Sequence, residues 1–100
     1  MDNIQICLAN NMKRLRKQMN FSQEKLAEEA GASANYIAMI ESGRYFPSLP
    51  MLRQIAGSLH VDSLDLFDKK GLEYQSLEAL RKELLESMTN VINTAFDKLE

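Results

Sequence analysis

The feature that most constrains this chain is a glycine-centred turn between two short amphipathic segments, within residues 22–43. Gly31 predicts the end of the first segment as a helix, because glycine enters the left-handed conformation without a Cβ penalty. Ser33 is a good N-cap for a second helix. Small and aliphatic residues recur on both sides of the turn at the spacing of a buried helix face: Leu26, Ala27 and Ala30, then Ile37 and Ile40. The pattern therefore predicts two short helices that cross closely, the arrangement of a helix-turn-helix.

The pattern continues on both sides of this turn and covers about two-thirds of the chain, from Asn3 to Phe67. Its motifs are S-Q-E-K-L-A at 22–27, A-G-A-S at 30–33, I-A-M-I-E-S-G at 37–43 and P-S-L at 47–49. With these motifs the chain resembles the phage-repressor and Cro type of helix-turn-helix protein, the XRE family. The resemblance implies an all-α fold with a five-helix DNA-binding domain over residues 1–68. It also implies a transcriptional regulator without enzymatic activity, usually a repressor that binds a two-fold symmetric operator as a dimer.

Periodicity and helix breakers predict the remaining elements. A buried stripe defines helix 1, which ends before Asn20, and Ser48 can cap a fourth helix. Asp62 can cap a short fifth helix that ends at Phe67. The segment D-K-K-G at 68–71 reads as a polar break, after which one long helix runs over residues 72–99. The predicted inward positions are Leu8, Met12, Leu15 and Met19 on helix 1, and Leu52, Ile55, Ala56 and Leu59 on helix 4.

The long C-terminal helix carries a wide apolar stripe that the resemblance does not explain. Its spacing averages about 3.7 residues, so a left-handed coiled coil with strict heptads fits poorly. Either the helix folds back on its own domain, or it associates with the same helix of a second chain. We expect a homodimer, because the small domain offers too little surface to cover the stripe. The predicted oligomerisation residues are Leu77, Leu80, Leu84, Met88, Val91, Ile92, Ala95, Phe96 and Leu99, with Leu85 widening the stripe.

The resemblance assigns the DNA contacts to the second motif helix, over residues 33–42. The base-contacting residues would be Ser33, Ala34, Asn35, Ala38 and Met39. Asn35 is the one strong hydrogen-bonding reader among them, since its amide can bridge two atoms of adenine. The three apolar residues can only touch thymine methyl groups or exclude other bases. This departs from family members with Gln, Arg or Lys there, which shifts the expected specificity towards DNA shape.

Phosphate contacts are assigned to four residues around that helix: Gln23, Tyr36, Ser42 and Arg44. Gln23 begins the preceding helix, where amide groups point towards an anion. Tyr36 could instead be partly buried beneath that helix. The resemblance further implies a structural ion pair between Arg16 on helix 1 and Glu41 at the end of the recognition helix.

Charge and composition bound the other possibilities. The net charge is −2, but residues 1–70 carry +1 and residues 71–100 carry −3, so the acidity is concentrated in the tail. Lys13, Arg14, Arg16 and Lys17 form a basic cluster on helix 1. We therefore expect double-stranded DNA as the partner, bound with few phosphate contacts. The single Cys7 suits a reducing, cytoplasmic location.

No catalytic motif, metal-ligand spacing, cofactor motif, small-molecule site or membrane segment is apparent in the sequence. The alternative function is a protein-binding scaffold or antitoxin-like module, which would use the repressor fold and the acidic apolar tail to hold a partner protein. A helical regulatory protein is a further candidate partner for the tail.

Overall fold

A computed structural model of the chain describes residues 2–99, apart from the side chains of Gln75 and Ser76. Its elements are α1 (Asn3–Gln18), α2 (Gln23–Ala30), α3 (Ala34–Glu41), α4 (Leu49–Ser58), a 3₁₀ helix (Ser63–Phe67) and α5 (Lys70–Asp97). The predicted all-α fold is confirmed: a five-helix domain is followed by one long helix. The fifth helix of the domain is the 3₁₀ helix.

The helices begin where the sequence offers capping side chains. Ser22, Ser33 and Ser48 each precede a helix, and each hydroxyl oxygen accepts a hydrogen bond from the backbone N–H three residues later. Asp62 caps the 3₁₀ helix, as predicted, and its carboxylate accepts a hydrogen bond from the backbone N–H of Leu64. Gly31 ends α2 with φ 72° and ψ 35°, the left-handed conformation that the turn requires. The helix-turn-helix is therefore specified by local residues at each of its ends.

One hydrophobic core joins the first four helices and the 3₁₀ helix. The inward positions predicted for α1 through α4 are buried, except that Met19 is only partly buried and packs against the core's edge. Fully buried side chains come from every short helix: Leu8, Met12, Leu26, Ile37, Ile40, Ile55 and Leu66. Within this core α3 packs against both α1 and α2, and this packing fixes which face of α3 meets the solvent.

The predicted polar break at 68–71 is wrong for residues 70 and 71, because α5 already begins at Lys70. Gly71 is buried, and its own Cβ position would lie 2.6 Å from the Cys7 carbonyl oxygen and 2.9 Å from the Cys7 Cα. Only a residue without a side chain allows the two helix backbones to approach this closely. Gly71 is therefore a packing residue at the contact of α5 with α1.

Beyond its first turns, α5 projects away from the domain. The molecule measures 59 × 26 × 22 Å, and every side chain from Ala79 to Leu99 is exposed, as is that of Leu77. The apolar stripe therefore does not pack on its own domain, and the alternative that the C-terminal helix folds back is wrong for a single copy of the chain. Among residues 2–99, no helix combines the length and apolar character needed to cross a membrane.

Candidate nucleic-acid interface

The helix α3 has one face buried in the core and one face accessible to solvent. Ile37 and Ile40 are essentially inaccessible to solvent, with exposures of 0% and 1%. Asn35 is exposed, whereas Ala34 and Ala38 on the same short helix are half-buried. A helix of eight residues with one face in the core can present only the opposite face to a ligand. The accessible face is the one that carries the predicted base-contacting residues.

An ion pair fastens the end of α3 to α1. The Arg16 Nε lies 2.9 Å from Glu41 Oε2, and the Arg16 Nη2 donates to Glu41 Oε1 at 3.0 Å. The Arg16 Nη1 also donates to the Phe21 carbonyl oxygen at 2.8 Å, in the turn between α1 and α2. The side chain of Glu41 is only 2% exposed. A two-point contact of this kind fixes orientation as well as distance, so it holds α3 in one position.

Gln23 joins the same network. Its Nε2 donates to Glu41 Oε1 at 3.3 Å, so a single carboxylate links α1, α2 and α3. Gln23 was predicted to contact phosphate from the start of α2. Its amide N–H donates to Glu41 and the residue is half-buried, so the phosphate contact stays a prediction.

The base-contacting candidates have distinct local roles. The Ser33 hydroxyl oxygen accepts from the Tyr36 backbone N–H at 3.1 Å, which caps α3. The Asn35 Nδ2 lies 3.6 Å from the Met39 sulfur, one helical turn further on. Sulfur is a weak acceptor, so this contact costs little to exchange for a base edge. Asn35 therefore remains the residue on this face best suited to two-point hydrogen bonding.

The phosphate-contact candidates Ser42 and Arg44 follow the end of α3, and both are exposed. The Ser42 hydroxyl donates to the Met39 carbonyl oxygen at 3.0 Å, which satisfies a backbone group at the helix end. Within residues 2–99, Arg44 forms no ion pair with a carboxylate. An exposed guanidinium three residues after the end of α3 is therefore free of a carboxylate that would compete with phosphate.

Tyr36 is half-buried and packs edge-on against Tyr45, with ring centroids 5.1 Å apart. Burial raises the pKa of the Tyr36 hydroxyl, and the neighbouring Tyr45 raises it further. The hydroxyl therefore stays protonated at neutral pH and can donate a hydrogen bond to an anion. Phe46 packs towards Phe67 at 6.2 Å, so the two aromatic residues after Arg44 are directed partly onto the domain.

The basic cluster predicted on α1 is divided by the fold. Arg16 is committed to Glu41, and the Arg14 Nη2 donates to Asn11 Oδ1 at 3.0 Å. Lys17 is exposed, and its Nζ lies 3.4 Å from the Tyr74 hydroxyl on α5. One of the four charges, that of Arg16, is therefore neutralised by a carboxylate, whereas Arg14 is held by an uncharged amide. The cluster presents a weaker positive surface than four unpaired cations would.

The sequence interpretation missed two buried asparagines on α1. The Asn11 Nδ2 donates to the carbonyl oxygens of Leu66 and Asp68, at 3.0 and 2.8 Å. The Asn10 Nδ2 donates to the Gly71 carbonyl oxygen at 3.1 Å. Asn11 therefore connects α1 to the end of the 3₁₀ helix, and Asn10 connects it to the first turn of α5. The signal available in the sequence was the pair of polar amides between Leu8 and Met12, inside an otherwise apolar stripe.

The fold and this face together define a DNA-binding regulator of the helix-turn-helix class. The profile of the helix-turn-helix domain family matches residues 9–72, and the chain belongs to this family. Its relatives include an HTH-type transcriptional regulator and a phage immunity repressor, and proteins of this family are DNA-binding regulators rather than enzymes.

Two curated relatives illustrate the similarity. The chain is 28% identical over 86 residues to the HTH-type transcriptional regulator SlrR of Bacillus subtilis, a match that covers 85% of this chain and 57% of SlrR. It is 33% identical over 95 residues to the immunity repressor protein of Bacillus phage phi105, covering 80% of this chain and 66% of that repressor. The chain therefore spans less than two-thirds of the length of either relative.

Solved structures agree with the fold. The restriction-modification controller protein C.AhdI from Aeromonas hydrophila has a TM-score of 0.61 and 27% identity, over 63% of this chain and 96% of that one. A hypothetical transcription factor, NHTF, from Neisseria has a TM-score of 0.64 and 28% identity, over 68% of this chain and 80% of that one.

Proposed function

We propose that this protein is a repressor that binds a two-fold symmetric DNA operator as a homodimer, with α3 in the major groove. The observation that carries the proposal is the exposed amide of Asn35 on a helix whose opposite face is buried. Family membership supports DNA as the ligand, and similarity to a phage immunity repressor supports repression.

In this proposal the residues divide into readers and positioning contacts. Asn35 reads adenine by two hydrogen bonds, while Ala34, Ala38 and Met39 contact thymine methyl groups or exclude other bases. Ser33 lies at the start of the same face. Arg44, Ser42, Tyr36 and Gln23 contact phosphates and so set the register of α3 without reading sequence. The single strong reader per copy makes one domain a weak binder.

Dimerisation supplies the missing affinity. The exposed stripe of α5 joins two copies, which raises the effective concentration of the second α3 at its half-site once the first is bound. Two recognition helices must then be separated by one helical turn of DNA, roughly 34 Å, or by a multiple of it. We assign residues 1–68 to DNA binding and 72–99 to self-association.

A selection of bound duplexes from a random pool tests the proposal. The expected product is a palindromic sequence with adenine at a fixed position in each half-site. Affinity for that operator and for random duplex is then measured against salt concentration. Binding to DNA must weaken steeply with salt, because phosphate contacts release counterions. Absence of salt-dependent binding would instead favour the protein-binding scaffold, for which the exposed apolar surface of α5 is the supporting feature.

A further inference from the structure

The exposed large apolar residues from Leu77 to Leu99, which lie on α5 and just past its end, form a pattern that is symmetric about Met88. Taking Met88 as the centre, each large apolar side chain on one side has a counterpart at the same distance on the other. The pairs are Leu77 with Leu99, Leu80 with Phe96, Leu84 with Ile92, and Leu85 with Val91. All nine of these side chains are at least half exposed. No other large apolar residue falls between Leu77 and Leu99, so the symmetry is complete for this class of side chain.

Such a palindrome suits one kind of partner. When two identical helices pack antiparallel around a two-fold axis, residues equally distant from the centre come to the same height on the two chains. An apolar residue then meets an apolar residue along the full contact only if the pattern is symmetric about the axis. A parallel pair in register places each residue level with its own copy and requires no such symmetry.

Arg81 distinguishes the two arrangements. It lies four residues after Leu77 and seven before Met88, so the helical repeat places it on the apolar stripe itself. In a parallel pair, the two Arg81 cations would lie level with each other at the contact. In the antiparallel pair, Arg81 is level with Ala95 of the second copy, the one small residue of the stripe. The small residue leaves room for the arginine stem, whose guanidinium can extend to water.

We propose that α5 pairs with α5 of a second copy in antiparallel orientation, with the two-fold axis beside Met88. The inference rests on the proposed homodimer and specifies its geometry. Seventeen residues separate Gly71 from Met88. At 1.5 Å per residue, the two Gly71 residues would lie about 51 Å apart along the paired helices. The two domains occupy opposite ends of an elongated dimer, which favours half-sites separated by more than one turn of DNA.

Disulfide formation tests the orientation, because it requires Cα atoms within about 7 Å. All variants carry Cys7→Ala, which removes the one native thiol, and circular dichroism verifies that each remains helical. Arg81→Cys and Ala95→Cys are oxidised separately and as a mixture that has first exchanged subunits under reducing conditions. In the antiparallel pair the two copies of either cysteine are about 21 Å apart. We therefore expect a covalent dimer to form in the mixture and not in either variant oxidised alone.

Met88→Cys is the matched control, because it lies at the contact in both orientations and therefore reports the dimer itself. Covalent dimer from Met88→Cys together with efficient self-linkage of Arg81→Cys would overturn the antiparallel orientation and leave the proposed dimer standing. A monomeric mass in sedimentation, with no linkage at Met88→Cys, would contradict both. A sedimentation mass of four chains would overturn the two-chain arrangement.

Discussion

Arg16 and Glu41 form a two-point ion pair between the end of α1 and the end of α3, with nitrogen–oxygen distances of 2.9 and 3.0 Å. Their side chains are 13% and 2% exposed. Since Arg16 also binds the Phe21 carbonyl oxygen, one guanidinium determines both the turn after α1 and the position of the recognition helix. The accuracy with which α3 is presented therefore depends on this pair.

Removal of the Glu41 carboxylate should destabilise the domain. Glu41→Ala leaves a largely buried guanidinium without its anion, so we expect the free energy of unfolding to fall by more than about 1 kcal/mol. Urea denaturation measures the change from the midpoint at constant slope. The exposed pair between Lys25 and Glu29 provides the control, and Glu29→Ala should not shift the midpoint measurably. Equal effects of the two substitutions would show that burial of the Arg16–Glu41 pair has no energetic consequence.

Two glycines in helices should respond to alanine with opposite signs. Gly71→Ala places a Cβ against backbone atoms of Cys7, which cannot shift without moving α1. We expect this substitution to lower the free energy of unfolding by about 1–3 kcal/mol. Gly57 lies in α4, and beyond its chain neighbours and its own helix backbone nothing lies within 4 Å of the added Cβ. Gly57→Ala should therefore stabilise by about 0.4–1 kcal/mol, because alanine restricts the unfolded chain. Thermal and urea unfolding of both variants test the contrast. A neutral Gly71→Ala would mean that α5 does not pack closely on α1.

The contrast between these glycines explains how far the sequence predicts the structure. Caps such as Ser33 and the turn glycine Gly31 act through neighbours within a few residues, so their positions are readable from local pattern. In the sequence, Gly71 looks like a helix breaker in the same way as Gly31. In the structure it instead packs against Cys7, which lies 64 residues earlier in the chain. Its role depends on a tertiary contact, and local sequence propensity does not predict contacts between distant residues.

The candidate site likewise combines a feature set by local sequence with contacts between residues far apart in the chain. The exposed face of α3 follows from helical periodicity once the buried isoleucines are identified. The pairing of Arg16 with Glu41 came from the family resemblance, because 25 residues separate them and spacing alone does not join them. Asn11 was missed for a related reason, since its acceptors belong to a segment 55 and 57 residues away.

A charge placed on the stripe of α5 should separate the proposed dimer. Leu84→Asp buries a carboxylate at the contact, so we expect a folded monomer whose affinity for the operator falls roughly 10²–10⁴-fold through loss of avidity. Asn90→Asp adds the same charge two residues from Met88, on the opposite side of the helix, and should leave both properties unchanged. Sedimentation and operator titration give the two readouts. A wild-type chain that sediments as a monomer at micromolar concentration would exclude this role for the tail.

Shortening the chain tests the same surface without adding charge. Truncation after Lys70 would remove the Gly71 carbonyl oxygen that accepts from Asn10, so its effect would mix folding with association. Truncation after Tyr74 retains that bond and the contact of Tyr74 with Lys17. We expect this shorter chain to keep the helical signal of the domain and to be monomeric. Persistence of a dimer would move the association surface to the domain.

Arg44 and Asn35 should affect DNA binding in different ways, because one is proposed to position α3 and the other to read a base. Arg44→Ala removes a phosphate contact, so affinity should fall by a similar factor on every duplex. The slope of log affinity against log salt concentration should shrink by about one unit. Asn35→Ala removes no charge, so it should leave the salt slope and the affinity for random duplex nearly unchanged.

On the selected operator, Asn35→Ala should lose about 1–3 kcal/mol of discrimination at one position of each half-site, the usual worth of a two-point contact to adenine. The two variants control for each other when both are titrated on operator and on random duplex at two salt concentrations. Equal losses for Asn35→Ala on both duplexes would reassign it to the DNA backbone. If neither variant changed binding on either duplex, α3 would not be the DNA-contacting helix, and its exposed face would have to be assigned to a protein partner.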